Sequence, residues 1–321
     1  MRRGATLVAA WALAVPASAQ TLEEIRDDLR ESLRQAKYAA SLAGLVLLAE
    51  ELDLSGASYD IDAGGPTEVS AFVLPFSTVL RPFERRELGL YVEGVAGITR
   101  TTEENEDVFG GALPGLEASV DAEWRSYGAL AGAGPSWTFG EELTAATIFA
   151  VGVARLENDA DYGGPGAALG AAIFDSVALN WHSWALTRGA ALRVDWRRDF
   201  DERRSLSVVG RFDARWTDTL EADDPALEFS TRTQLATLRA EYAAPTGKTV
   251  LDRPLDFRVH AGARRLTEGD LFGVREIYEA GGALVLLEDG LVPFSSGVKL
   301  SGSAFFGESL RGWSVGLGLT F

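Results

Sequence analysis

The sequence ends in a segment in which every second residue is large and apolar. Trp313, Val315, Leu317, Leu319 and Phe321 are separated by single small or polar residues. Because successive side chains of a β-strand point to opposite faces, this period of two predicts a strand with one apolar face and one small, polar face. A chain built from such segments needs a second apolar surface for each apolar face, either a protein core or the lipid of a membrane.

The same alternation continues through most of the chain. At 116–125, 206–216 and 255–264, apolar residues occupy one face and charged residues the other. We expect the apolar face to contact lipid in all three segments, including the face at 116–125 that carries Trp124. The alternation and the intervening turn residues predict twelve antiparallel strands. Their expected bounds are 54–62, 67–80, 86–100, 116–138, 141–157, 178–197, 203–217, 230–244, 254–265, 273–287, 293–306 and 311–321.

Hydropathy and connection lengths indicate that these strands cross a membrane. Hydrophobic residues make up 46% of the sequence, yet no run of 18 apolar residues occurs outside the first 20 positions, which excludes transmembrane helices. Short connections such as 200–202 alternate with long ones such as 158–177, as in outer-membrane barrels. The sequence therefore predicts an all-β, twelve-stranded transmembrane barrel. A soluble β-sandwich stays open as an alternative, because its core would also accept one apolar face per strand.

Two segments do not fit this scheme. Pro245 to Arg253 is a nine-residue connection on the side where short turns are expected. In the strand 178–197, the apolar alternation places Arg188 near the middle of the bilayer, where a lipid-exposed arginine costs about 2–4 kcal/mol. Since glycine within a strand often marks a bulge, we predict a bulge at Gly189 that reverses the face of the strand.

The first residues have the order of a bacterial secretory signal peptide. Arg2 and Arg3 precede a short apolar run, and Ala-Ser-Ala at 17–19 is a cleavage site of the usual type. We expect residues 1–19 to be a signal peptide that is cleaved on export.

Residues 20–52 are predicted to form an N-terminal helix, and residues 53–321 the barrel. Thr21 and Glu24 form a capping box, and apolar residues then recur every three or four positions, so the helix should continue to about Leu48. Its second half is rich in Ala, Gly and Leu, which suits enclosure in the barrel lumen. A helix just below the barrel, in the periplasm, is an equally open interpretation.

The polar strand faces supply the candidate functional residues. Twelve strands should enclose a space between the filled interior of eight-stranded barrels and the channel of sixteen-stranded ones. Small residues on parts of the inner wall would leave room there for a helix. The charged residues could select a transported solute, or they could simply neutralise one another as buried charges. The lumen-facing candidates are Arg211, Asp213, Arg215, Arg239, Glu241, Asp256, Arg258, His260 and Arg264.

Composition argues against several classes of function. A net charge of −17 is unsuited to nucleic-acid binding, and two histidines without any cysteine offer little for a zinc site. His182 and Ser183 are adjacent, so they point to opposite faces of a strand and cannot act as base and nucleophile. We therefore expect no enzymatic activity, no cofactor, no metal site and no nucleic-acid partner.

The signal peptide, the twelve-strand pattern and the alternation from Trp313 to Phe321 resemble bacterial outer-membrane β-barrels. With the leading helix, the chain is most similar to a solitary autotransporter-type β-barrel domain without a passenger. The resemblance covers nearly the whole mature chain. It implies a location in the cell outer membrane, contact with outer-membrane lipid, and recognition of Trp313, Val315, Leu317, Leu319 and Phe321 by the barrel-assembly machinery.

Two functions follow from this resemblance and the charge pattern. The first is an autotransporter-like translocator or pore, which the N-terminal helix could plug. The alternative is a non-conducting structural or surface-interaction barrel whose acidic extracellular loops, such as 101–107, contact the exterior. The sequence does not identify an external ligand.

Overall fold

The computed structural model shows twelve antiparallel β-strands among the residues that it describes. Each strand pairs with its neighbours in sequence, and the last strand pairs with the first, so the sheet closes into a barrel. This confirms the predicted all-β, twelve-stranded barrel. The described residues are 21–36, 55–62, 66–81, 87–109, 113, 115–268, 274–287, 297–308 and 310–320. The strands are β1 Ser55–Asp62, β2 Pro66–Leu80, β3 Leu88–Asn105, β4 Ser119–Phe139, β5 Leu143–Gly163, β6 Trp181–Asp199, β7 Ser205–Ala222, β8 Ser230–Val250, β9 Arg253–Glu268, β10 Glu276–Leu287, β11 Gly297–Gly307 and β12 Leu310–Thr320.

The connections differ between the two ends of the barrel. At the short-turn end, Leu251 and Asp252 alone join β8 to β9. At the long-loop end, the connection from β5 to β6 contains a helix (Ala167–Phe174), and the connection from β7 to β8 contains a 3₁₀ turn (Pro225–Leu227). In outer-membrane barrels the long loops face the exterior and the short turns face the periplasm.

Helix α1 (Leu22–Ala36) precedes the barrel, and the helix of the β5–β6 connection is α2. The start of α1 is capped reciprocally: the backbone N–H of Thr21 donates to Glu24 Oε2 at 2.6 Å, and that of Glu24 donates to Thr21 Oγ1 at 3.3 Å. No helix in the described part of the chain is both long and apolar enough to cross a membrane. The predicted signal peptide and the predicted continuation of α1 to Leu48 lie outside the described residues.

The outward face of β4 shows where the membrane lies. From Tyr127 to Trp137 the outward side chains are aromatic or small and are exposed to the surroundings of the barrel. Ten residues of a strand tilted by about 40° cover a height of about 25 Å, which matches the apolar band of an outer-membrane barrel. An apolar belt that faces outward excludes the soluble sandwich, in which this face would form the core.

Above this belt the polarity of β4 is inverted, and the prediction for 116–125 was wrong. Val120, Ala122 and Trp124 are buried inside the barrel, whereas Asp121 and Glu123 point outward. The physical reason is that β4 extends beyond the membrane towards the long-loop end. Its outer face there meets water and is charged, and its inner face forms a hydrophobic core like that of a soluble protein.

The nine-residue connection predicted from Pro245 to Arg253 is also corrected. The ladder between β8 and β9 continues to a two-residue turn, in which Leu251 and Asp252 have φ angles of 52° and 60°. A register shift between Pro245 and Lys248 accommodates two unpaired residues. Strand pairing and a bulge therefore replace most of the expected loop, and the short-turn end keeps a tight turn.

The bulge predicted at Gly189 is absent from the described pairing. Arg188 and Gly189 pair in register with β7, and the irregularity lies instead between Trp184 and Ala185. The face of β6 does not reverse, so Arg188 does point outward. It lies eight positions from Trp196, about 20 Å higher, and therefore near the upper edge of the belt, where its Nη2 is 2.9 Å from Asp218 Oδ2.

The outer face of β4 meets lipid at one height and water at another. Residues on this face should therefore differ in their accessibility to a water-soluble reagent. The sequence has no cysteine, so single cysteines can be introduced at Asp121 and at Ala133. We expect Asp121→Cys to react in intact cells with a maleimide that does not cross membranes, and Ala133→Cys to react only after denaturation. Labelling of Ala133→Cys in intact cells, or failure to label Asp121→Cys, would contradict the assigned height of the membrane.

Candidate functional site

The lumen is crossed by a buried salt bridge. Arg211 on β7 donates from Nη1 to Glu93 Oε2 at 2.6 Å and from Nη2 to Glu93 Oε1 at 2.9 Å. Glu93 lies on β3, four strands away around the wall, and the two side chains are 8% and 4% exposed. Arg211 also donates to Asp213, from Nε and from Nη2, both at 2.8 Å. The Glu93–Arg211 bridge therefore ties β3 to β7 through the interior.

Small wall residues make room for this bridge. A Cβ atom on Gly132 would lie 3.2 Å from Glu93 Oε1 and 2.9 Å from the side chain of Ile148. The space that we expected such residues to leave for a helix is thus occupied, at this level, by side chains of the barrel itself. Two buried apolar clusters continue the packing on both sides of Glu93. They comprise Val73, Val95 and Leu130, and Tyr91, Ala146, Ile148 and Ala191.

A second buried network lies on the other side of the barrel. His260 Nε2 is 2.9 Å from Glu279 Oε1 and 2.9 Å from Ser303 Oγ. Arg264 donates to the other oxygen of Glu279 at 3.3 Å. Glu279 lies on β10 and joins His260 and Arg264, which both belong to β9.

The remaining lumen candidates form smaller groups. Glu241 accepts from Arg258 at 3.2 Å and lies 3.8 Å from Arg239. Asp256 pairs with Arg203, which comes from the connection between β6 and β7 at the short-turn end. The nine candidates thus all face the interior and are distributed over several groups of contacts. Arg211, Asp213 and Arg215 form one, since Arg215 Nη2 donates to Asp213 at 3.0 Å.

Sequence reasoning missed two residues on which these networks depend. Glu93 accepts hydrogen bonds from Arg211. Glu279 contacts both His260 and Arg264. Each stands among small or apolar residues in its own strand. A carboxylate isolated in such a strand is a usable signal, because it must find a cation elsewhere in the fold.

At the long-loop end the interior is filled by apolar side chains, which we call the mouth cluster. It contains an edge-to-face contact between Trp124 and Trp181, with ring centroids 5.9 Å apart. Residues of α2 and of the 3₁₀ turn contribute, and so does Leu29 of α1, which is 1% exposed. The buried members are Leu29, Val69, Val108, Ala118, Val120, Ala122, Trp124, Leu156, Ile173, Phe174, Val177, Leu179, Trp181, Ala226, Leu227, Leu266, Val274, Ile277, Phe305 and Leu310.

Arginines hold α1 on this cluster. Arg26 donates to the carbonyl oxygens of Ala172 and Asp175 at 2.8 and 3.1 Å, and Arg30 Nε donates to Asp224 Oδ2 at 3.0 Å. Hydrogen bonds from Thr21 hold the pKa of Glu24 below its ordinary value. This cap stabilises α1 fully above the ordinary pKa of a glutamate, and the stabilisation is lost as the pH falls through the lowered value.

The adjacent His182 and Ser183 do not meet as a histidine–serine pair. His182 lies on the outer face, with its Nδ1 2.7 Å from Asp223 Oδ2, whereas Ser183 points inward and donates to the carbonyl of Glu221. No group of three or more His, Asp or Glu residues in the described part of the chain could hold a metal ion.

The last strand presents its large residues to the membrane. Trp313, Val315 and Leu317 point outward from β12 and are exposed. The side chain of Leu319 and the whole of Phe321 lie outside the described residues.

Comparison with known proteins agrees with this architecture. The family model of the solitary outer membrane autotransporter beta-barrel domain matches residues 66–251, more than half of the chain. The chain belongs to this family. No curated protein matches it.

Solved structures that resemble the solitary autotransporter barrel include translocator domains. The translocator domain of the autotransporter NalP from Neisseria meningitidis is 14% identical, with 83% of this chain and 86% of that chain covered and a TM-score of 0.46. The transport unit of AIDA-I from Escherichia coli is 11% identical, with 90% and 99% covered and a TM-score of 0.49. The beta domain of the Bordetella autotransporter BrkA is 11% identical, with 83% and 96% covered and a TM-score of 0.46.

Because the Glu93–Arg211 bridge is buried, we expect removal of Arg211 to lower the free energy of unfolding much more than removal of an exposed arginine. In Arg211→Met, buried Glu93 loses its bridging cation and Asp213 loses one of its two arginines, so the free energy of unfolding should fall by about 3–5 kcal/mol. In Arg197→Met, where the side chain is 65% exposed and pairs with Asp199, the change should stay below about 1 kcal/mol. Urea unfolding in lipid vesicles, followed by tryptophan fluorescence, measures both. Equal losses in the two variants would show that the bridge does not stabilise the barrel.

Proposed function

We propose that this solitary autotransporter barrel is an outer-membrane pore whose lumen is closed by its own N-terminal helix. The observation that carries this proposal is the burial of Leu29 in the mouth cluster. In this position α1 lies against α2 and the 3₁₀ turn at the long-loop end. The Glu93–Arg211 bridge supports the proposal further, because it restricts the lumen at a second level.

The contacts of α1 suit a removable closure. Full burial of one leucine side chain contributes about 1.5–3 kcal/mol, and a partly exposed ion pair such as Arg30–Asp224 adds at most about 1 kcal/mol. Arg26 adds two hydrogen bonds to backbone carbonyls of the β5–β6 connection. Small changes in α1 should therefore be enough to open the mouth.

Recordings in planar bilayers test this closure. We expect little conductance from the wild type, and a clear increase on deletion of residues 21–36 or in Leu29→Asp, because a carboxylate is not tolerated in the apolar mouth cluster. Leu22→Asp is the matched control, since Leu22 lies on the same helix and is 43% exposed. It should behave like the wild type. If the folded deletion variant stays as silent as the wild type, α1 does not close the pore.

A non-conducting surface barrel is the second candidate function. It is favoured by the charged outer wall that β3, β4 and β5 raise above the membrane, with Arg100, Glu123 and Asp159 among its exposed side chains. Absence of conductance in a folded variant that lacks both α1 and the Glu93–Arg211 bridge would support this candidate over the pore.

We also propose the partners and processing that the family resemblance implies. The outward Trp313, Val315 and Leu317 of β12 support recognition by the barrel-assembly machinery during insertion. Residues 1–19 are proposed to be a signal peptide that is removed on export. We propose no enzymatic activity. His182 and Ser183 face opposite sides of the wall, and His260, which does contact Ser303, is buried in its pair with Glu279.

A further inference from the structure

The outer wall carries arginines at one particular height. On seven strands, the first charged residue above the apolar belt, in the direction of the long-loop end, is an arginine. On β4, for example, no outward residue from Phe139 to Tyr127 is charged, and the next outward residue is Arg125. We call this set the arginine collar. Its members are Arg100, Arg125, Arg155, Arg188, Arg232, Arg265 and Arg311.

Strand register places the collar level with the aromatic residues at the top of the belt. Arg155 pairs across the sheet with Tyr127 on one side and Trp184 on the other, and Trp216 pairs with both Arg188 and Arg232. Tyrosine and tryptophan at the ends of membrane strands lie in the headgroup region of the lipid. The collar therefore lies in the headgroup region too.

Contacts with these aromatic rings hold two of the arginines flat against the wall. The guanidinium carbon of Arg155 lies 5.6 Å from the ring centroid of Trp184, and that of Arg232 lies 5.4 Å from the ring centroid of Trp216. Stacking of this kind leaves the edge of the guanidinium, with its N–H donors, available to the surroundings.

Neighbouring carboxylates use part of the donor capacity of the collar. Every collar arginine from β3 to β9 has a carboxylate partner. The pairs are Arg100–Glu123, Arg125–Glu123, Arg155–Glu157, Arg188–Asp218, Arg232–Glu268 and Arg265–Glu276. Each guanidinium has five N–H donors, and ion pairs as exposed as these are weak. The donors that these carboxylates leave unused lie in the plane of the guanidinium, an arrangement that suits two oxygens of one phosphate.

We propose that the arginine collar binds the phosphate groups of lipid headgroups in the membrane leaflet at the long-loop end. Three observations argue for lipid as the occupant. The collar is continuous with the apolar belt, it occurs on seven strands although β7 has Asp218 at this place, and it is level with the aromatic residues that mark the headgroups. On β4 and β5, carboxylates such as Asp121 and Glu157 stand higher on the same faces than the collar arginines. Phosphate should therefore bind at the collar and not further out.

Two lipids that differ by one phosphate test this proposal. Folded protein in dodecyl maltoside micelles is mixed with phosphatidic acid or with diacylglycerol of the same acyl chains, and native mass spectrometry counts the lipids retained. We expect the wild type to retain phosphatidic acid at least tenfold better than diacylglycerol, and to do so in EDTA as well. Equal retention of the two lipids would overturn the proposal without any variant being required.

A charge-matched pair of variants assigns the binding to the collar. The collar variant combines Arg100→Gln, Arg155→Gln and Arg188→Gln. The control variant combines three substitutions at the short-turn end, Arg197→Gln, Arg198→Gln and Arg204→Gln. The collar variant should lose most of the preference for phosphatidic acid, and the control should keep it. Equal loss in both would indicate a general effect of net charge and contradict the proposal. If the wild type loses its preference for phosphatidic acid in EDTA, divalent cations that bridge carboxylates to the phosphate account for the binding. That result would also overturn the proposal.

Discussion

The structure depends on one requirement of the membrane, which is that no backbone N–H or C=O group can face hydrocarbon without a partner. A sheet satisfies this requirement only when its first and last strands pair with each other, as β1 and β12 do along seven residue pairs. Closure removes all sheet edges from the lipid and creates an interior at the same time. The alternation of the sequence is a consequence, because each strand then has one face towards lipid and one towards the lumen.

The interior created by closure must be filled or hydrated, and this chain fills much of it. Near one wall the Glu93–Arg211 bridge and its apolar neighbours occupy the space between β3 and β7. At the long-loop end the mouth cluster does so without charge, and it includes Leu29 of α1. Desolvation of a buried ion pair offsets much of its attraction, so the pair adds little net stability. Breaking the pair is costly, however, so it favours the one arrangement of the wall in which both charges meet. A lumen organised in this way suits a barrel that is closed at rest.

The outer wall also changes along its height. Lipid-facing residues give way to the arginine collar and then to carboxylates, as in the sequence Tyr127, Arg125, Glu123 and Asp121 on β4. The same strand face thus meets hydrocarbon, headgroups and water in turn. Strands longer than the membrane requires make this possible, and their upper parts need the hydrophobic core that the mouth cluster supplies.

The sequence by itself determined the strand count, the barrel class and the inward direction of Arg211, Asp213 and Arg215, because a period of two is a local property of each strand. Local information was not enough at 116–125, where the apolar residues face inward because the surroundings at that height are aqueous. It also misplaced a bulge at Gly189, since register depends on the neighbouring strand. The pairing of Glu93 with Arg211, separated by 118 positions, and the position of Leu29 in the mouth cluster were decided by the tertiary structure alone. Only closure of the barrel brings such distant residues together, and no spacing within a strand records that distance.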